Sequence, residues 1–153
     1  MTISNKPDDL QSIASDVDDF EVIKRQSVYS VRFFTHNNNV FHVCKSKDYQ
    51  QIENVDDTYY DVAWGLAFQW FNPSTKFGHI FDQFKFNVEY VNFTECHIGL
   101  NFLQKVAENM NDNVKIVEYR NCTFDPDVTR EVVAKMFNNH EQIVTHGCEL
   151  KEK

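Results

Sequence analysis

Apolar positions in the second half of the chain follow two rhythms in turn. Val88, Val91, Phe93, Cys96 and Ile98 include a short period-two stretch, the pattern of a strand with one face buried. Leu103, Val106, Ala107 and Met110 then recur at the three- and four-residue steps of an amphipathic helix. The same order returns 26 residues later as Val114, Val117, Tyr119, Cys122 and Phe124, followed by Thr129, Val132, Val133 and Met136. A third strand pattern, His140, Ile143, Thr145, Cys148 and Leu150, keeps that spacing. Shifting the helical columns upstream meets Phe77, Ile80, Phe81 and Phe84, which predicts a helix over 74–85 with Pro73 near its first turn. Its strand columns, one residue out of step, are Ala63, Leu66, Phe68 and Phe71. Further upstream, the β-rich runs Val28–Phe34 and Val40–Cys44 flank Thr35-His36-Asn37-Asn38-Asn39, which predicts a hairpin. Residues 47–55 read as a short helix. Leu10, Ile13, Ala14, Val17 and Phe20 allow an amphipathic helix or an acidic, partner-binding tail.

The aligned columns resemble the leucine-rich repeat, L-x-x-L-x-L-x-x-N/C-x-L with a following helix, in its cysteine-containing, ribonuclease-inhibitor-like form. The resemblance runs over roughly residues 60–150. Phe71 departs from it in the Cys/Asn column, and His140 and Thr145 depart from apolar columns of the last unit. It implies an α/β fold: a short leucine-rich-repeat solenoid of about four strand–helix units with parallel strands, capped by an N-terminal β-hairpin. The expected organisation is an acidic tail or short helix over 1–26, a hairpin-and-helix cap over 27–58 and repeats over 59–153.

Composition narrows the function. With 4 Gly, 3 Pro and 4 Cys among 153 residues, collagen-like, low-complexity and disulfide-dense classes are excluded. No apolar run is long enough to span a bilayer, and the polar, acidic first residues resemble neither a secretory signal nor a transit peptide. The expected location is therefore cytoplasmic or nuclear, with reduced cysteines. A net charge of −8 without clustered basic residues argues against nucleic acid. The 14 Phe predict a ring-filled core or an exposed aromatic patch. Cys96, Cys122 and Cys148 would form a collinear ladder about 5 Å apart, unlike the converging ligand pairs of zinc. They read as buried thiols; His36, His42 and Cys44 lie near one hairpin, and His42 and Cys44 share a strand face, but a metal site there is not the expected reading. No G-x-S-x-G, phosphate loop or Cys–His signature occurs, and Asp18-Asp19 and Asp56-Asp57 read as solvated charge. No catalytic residue, metal or cofactor is expected.

What remains is the concave strand face. The frame places Ala67, Gln69 and Trp70 there, with Asn92, Thr94 and Glu95, then Glu118, Arg120 and Asn121, then Val144, His146 and Gly147. Gln69, Trp70, Asn92, Thr94, Glu118, Arg120 and His146 are the candidate protein-binding residues, a composition typical of binding hot spots. Four strands of five residues offer only about 320 Å², against about 800 Å² for a stable partner. Flanking segments must join, or the chain is a subunit of a larger complex. The expected function is non-catalytic protein binding as an adaptor or assembly subunit. By resemblance, acidic repeat proteins of this kind are similar to the substrate-recognition parts of F-box ubiquitin-ligase adaptors, including nematode F-box-associated regions, although no F-box is present here. An assembly factor of a mitochondrial complex and an unrecognised enzyme are the alternatives.

Overall fold

The computed structural model describes residues 24–36, 39–44, 51–52, 58–76, 81–110 and 112–153. Val28, Val31 and Phe33 turn inward from β1 (Lys24–His36), and β2 (Asn39–Cys44) returns antiparallel to it with His36 opposite Asn39. The two-residue β3 (Gln51–Ile52) adds antiparallel to β2. β4 (Thr58–Gln69) lies parallel to β1, with a bulge where the pairing steps from Val28–Val62 to Ser30–Gly65. Beside β4 run β5 (Phe84–Phe86), along its first half, and β6 (Tyr90–Thr94), along its second, both parallel. The chain continues through β7 (His97–Ile98), α1 (Leu100–Glu108), β8 (Ile116–Arg120), β9 (Thr123–Phe124), α2 (Arg130–Met136) and β10 (Gln142–His146). In space the main sheet reads β3–β2–β1–β4–β6–β8–β10, with β5 against β4, while β7 and β9 form a second, parallel ladder. The fold is α/β with a mostly parallel sheet.

Register explains the core. Val31, Leu66, Val91, Val117 and Ile143 face one another across five strands, and Phe33, Phe68, Phe93, Tyr119 and Thr145 form the next inward column. The four rings of that column stack at centroid distances of 5.7, 5.4 and 5.0 Å. Each fully buried apolar side chain stabilises the fold by about 1.5–3 kcal/mol, so this ladder is a principal support. From α1, Phe102 closes over it edge-on to Phe68 and Phe93, and Leu103 and Val106 are buried beside it. In α2 the Thr129 hydroxyl accepts from the Val132 N–H at 3.2 Å, an N-cap rather than the helical column expected of it.

The strands end alike. Trp70, Glu95, Asn121 and Gly147 all have left-handed backbones, with φ of 64°, 52°, 53° and 66°. The N–H groups of the first three donate to the carbonyls of Thr94, Arg120 and His146 on the next strand. After the last three turns a cysteine folds inward, where Phe71 follows the first: Cys96 donates to the Phe68 carbonyl, Cys122 to that of Phe93 and Cys148 to that of Tyr119. Cys96 and Cys122 are buried and Cys148 is half-buried, all three free. The neighbouring Cys122 thiol, and after it burial, push Cys96 upward, so it resists ionisation.

Two expected helices are corrected. The one over 74–85 fails at its end, because residues 81–83 form a turn and 84–86 a strand. Phe84 and Phe86 are both buried around an exposed Lys85, and their stacked rings, 5.8 Å apart, need period-two spacing. The short helix over 47–55 meets β3 at Gln51–Ile52, where pairing with His42 and Val43 of β2 takes the backbone groups. β4 also starts earlier than its columns suggested, and with the bulge it is Val62, not the exposed Ala63, that is buried. The apolar positions from Leu10 to Phe20 lie outside the described residues.

Candidate functional site

Strand alternation that buries Phe33, Phe68, Phe93 and Tyr119 turns their neighbours to the opposite face of the sheet, where no described helix packs. Register then fixes two rows. Phe34, Gln69, Thr94, Arg120 and His146 face one another along the first, and Arg32, Ala67, Asn92, Glu118 and Val144 along the second. Six of the seven candidates therefore lie on neighbouring strands of one face. Trp70 stands apart at the left-handed end of β4: it is 47% exposed, its indole N–H donates to Glu95 at 3.2 Å, and its ring meets Phe34 edge-on at 6.3 Å.

Glu118 is the hub of this face. It is only 8% exposed although it lies on the open side, because four groups cover it. The Tyr90 hydroxyl donates to one carboxylate oxygen, which also accepts from the Asn92 amide at 3.0 Å. Arg120 and His146 approach the other oxygen, each at 2.9 Å. The Thr94 hydroxyl in turn donates to the Asn92 amide oxygen at 2.7 Å. Burial alone would raise the Glu118 carboxyl; the hydrogen bonds from Tyr90 and Asn92 and the charges of Arg120 and His146 outweigh it and hold the group below its ordinary value. Burial and the bond to this carboxylate push Tyr90 the other way, up to about 12. The hub is thus a fixed anion that orients an arginine and an imidazole toward solvent.

Two aromatic groups share the sheet with this polar centre, both toward its β1 side. Tyr29, Trp64 and Tyr90 stack in sequence at 6.0 and 6.1 Å, and Phe34, Phe41 and Trp70 cluster at the hairpin side. The concave-face reading missed Arg32, Phe34, Tyr29 and Trp64. The first three belong to β1, which precedes the first repeat frame, and Trp64 lies at the β4 bulge. Period-two alternation around Val31 and Phe33 was the available signal for Arg32 and Phe34.

Other polar groups lie off this face. On the β7–β9 ladder, His97 sits between Asp125, 2.6 Å from Nε2, and the Thr123 hydroxyl, 2.5 Å from Nδ1. His42 is buried against the rings of Phe33 and Phe84. Among the described residues no group of three His, Cys, Asp or Glu is placed to hold a metal ion, and no helix is long and apolar enough to cross a membrane. Comparison with family models, with curated proteins and with solved structures finds no match for this chain.

Proposed function

We propose that this chain is a non-catalytic protein-binding module, an adaptor or assembly subunit of the cytoplasm or nucleus, and that the open sheet face is its contact surface. One observation carries the reading: an internally satisfied polar hub shares the open face with two aromatic groups that have no core to fill. Tyr29 and Trp70, at 58% and 47%, are the large hydrophobic side chains left exposed among the described residues. Rings and arginines on a face whose hydrogen bonds are already arranged lose little freedom on binding, which suits them as anchors. The architecture we infer is a leucine-rich-repeat-like stack in which β6–α1, β8–α2 and β10 carry the 26-residue unit. It is supported by the matched inward cysteines and the repeated left-handed turns.

Size agrees better once the hairpin joins. Six strands of five residues offer about 480 Å², still below the roughly 800 Å² of a stable pair, so the partner also reaches the rims or other subunits. The test is affinity recovery with mass spectrometry, comparing the native chain with Gln69→Glu/Val144→Arg on the open face and Lys105→Glu/Lys135→Glu on the helices. The face variant should melt within about 1 kcal/mol of native and lose its partner, while the helix variant keeps it. Retention of every partner by the face variant overturns the reading. A recovered cullin adaptor would assign the module to a ubiquitin ligase.

A further inference from the structure

The open face is not flat. β4 contributes Gly65 and Ala67, the smallest side chains on it, between larger groups on β1 and β6. A Cβ at Gly65 would already touch the Tyr90 ring at 3.4 Å and the Ser30 Cβ at 3.6 Å, so this floor stays low because it is glycine. The result is a groove in two joined parts that share Arg32, Ala67 and Tyr90. One part, about 260 Å³, is bordered by Arg32, Gln69, Asn92, Thr94 and Arg120. The other, about 290 Å³, is bordered by Tyr29, Trp64 and Tyr90 over the Gly65 floor. One end offers cations and amides, the other three stacked rings.

Charge selects the occupant. Arg120 is balanced by Glu118, 2.9 Å away. Arg32 is half-buried and its guanidinium makes no hydrogen bond or ion pair with a described residue, in a chain whose net charge is −8. A partly desolvated guanidinium without a described anion beside it calls for one, and carboxylate meets its fork with two parallel hydrogen bonds. With one uncompensated positive charge, the groove suits a monoanion rather than a phosphate dianion. The ring-lined end lies two or three residue rises further along the strands, about 7–10 Å.

We propose that this groove binds an extended segment of a protein partner that presents an acidic side chain to Arg32 and Arg120 and, two or three residues away, an aromatic side chain to the Tyr29–Trp64–Tyr90 stack. This deepens the protein-binding reading and rests on it. Binding of the carboxylate uses donors the Glu118 hub leaves over, so the hub stays intact and acts as a support.

Fluorescein-labelled octapeptides with one Glu and one Phe, separated by one, two or three residues, test this by anisotropy on the full chain. Matched peptides carry Gln or Lys for Glu, phosphoserine for Glu, or Ala for Phe. The Glu/Phe peptide of correct spacing should bind at least tenfold more tightly than its Gln and Ala counterparts. Arg32→Glu should remove that preference and turn it toward the Lys peptide. Should Arg32→Glu fail to fold, Arg32→Gln carries the test with a tenfold loss expected. Equal binding of the Gln peptide, tighter binding of the phosphoserine peptide, or an unchanged Arg32 variant overturns the proposal. So does self-association of the native chain that Arg32→Glu abolishes, which would make a second copy the occupant. If the recovered partner is lost from Gln69→Glu/Val144→Arg but kept by Arg32→Glu, the face reading stands and the acid–aromatic groove falls. If both variants keep it, both fall.

Discussion

At Gly147 the backbone is left-handed, φ 66°, and a Cβ there would run into the Asn121 amide. The amide can swing aside, so the lasting penalty of Gly147→Ala is the conformation, about 1–2 kcal/mol for an L-residue. Urea denaturation should register that loss. Tyr119 presents the opposite case. Its ring completes the stacked column, but its hydroxyl is buried without a partner among the described residues. Tyr119→Phe keeps the ring and removes the stranded group, so the protein should gain about 1 kcal/mol. A loss of that size would mean the hydroxyl is satisfied. For Glu118 the readout is pH. Its folded value lies below the ordinary 4.5, so the unfolded chain takes up its proton first as pH falls. The stabilisation is complete above the ordinary value and is lost as pH falls from there through the lower folded value. Glu118→Gln should therefore cost about 1–3 kcal/mol near neutrality, and the gap to native should close in acid, measured by melts across pH. A pH-independent gap would assign the loss to shape rather than charge.

Elements differ in how well they could be read from the chain. The strands and helices from Tyr90 onward were legible because each repeats its own period in step with the next, and Leu103, Val106 and Val133 are indeed buried. The antiparallel pair of β1 and β2 was signalled by the asparagine run between two apolar stretches. Phe84–Phe86 was not, since phenylalanines spaced for a helix also satisfy a strand, and contact with β4 decides between them. The polar start of β1, Arg25 to Ser27, has no strand pattern of its own; parallel pairing with residues 59–61 makes it one. At the site, the face positions were readable, but the Glu118 hub was not, because Tyr90 and Asn92 meet it only through the β6–β8 register. That register yields a stability contrast. Val117 is fully buried mid-column in β8, between Val91 and Ile143, so Val117→Asp strands a carboxylate at several kcal/mol, enough to unfold a domain holding about 5–15. His140 precedes the edge strand and bonds only the Phe137 carbonyl among the contacts described for it, so His140→Ala should cost far less. Equal losses by calorimetry would refute the register.

Across the whole molecule, stability should fall toward both edges of the sheet. β4 and β6 are flanked by strands on both sides and covered by the Phe68–Phe93–Phe102 cluster. Among the described residues β10 pairs only with β8, and its inward residues Ile143 and Thr145 are half-buried rather than buried, so no described strand covers its outer edge. At the opposite edge β3 is two residues long and offers little to pair with. Local opening is governed by such differences in burial and pairing. In native-state hydrogen exchange, amides of β4 and β6 that bond their neighbours should therefore exchange slowest, those of β8 next, and those of β2 and β10 fastest. The experiment is informative at β10 in particular. Protection there equal to that of β6 would mean that another chain covers the edge, and sedimentation at the same concentration would then find an oligomer. Fast exchange at β10 from a monomer leaves the edge open and the grooved sheet face, rather than strand addition, as the route by which this chain takes its partner.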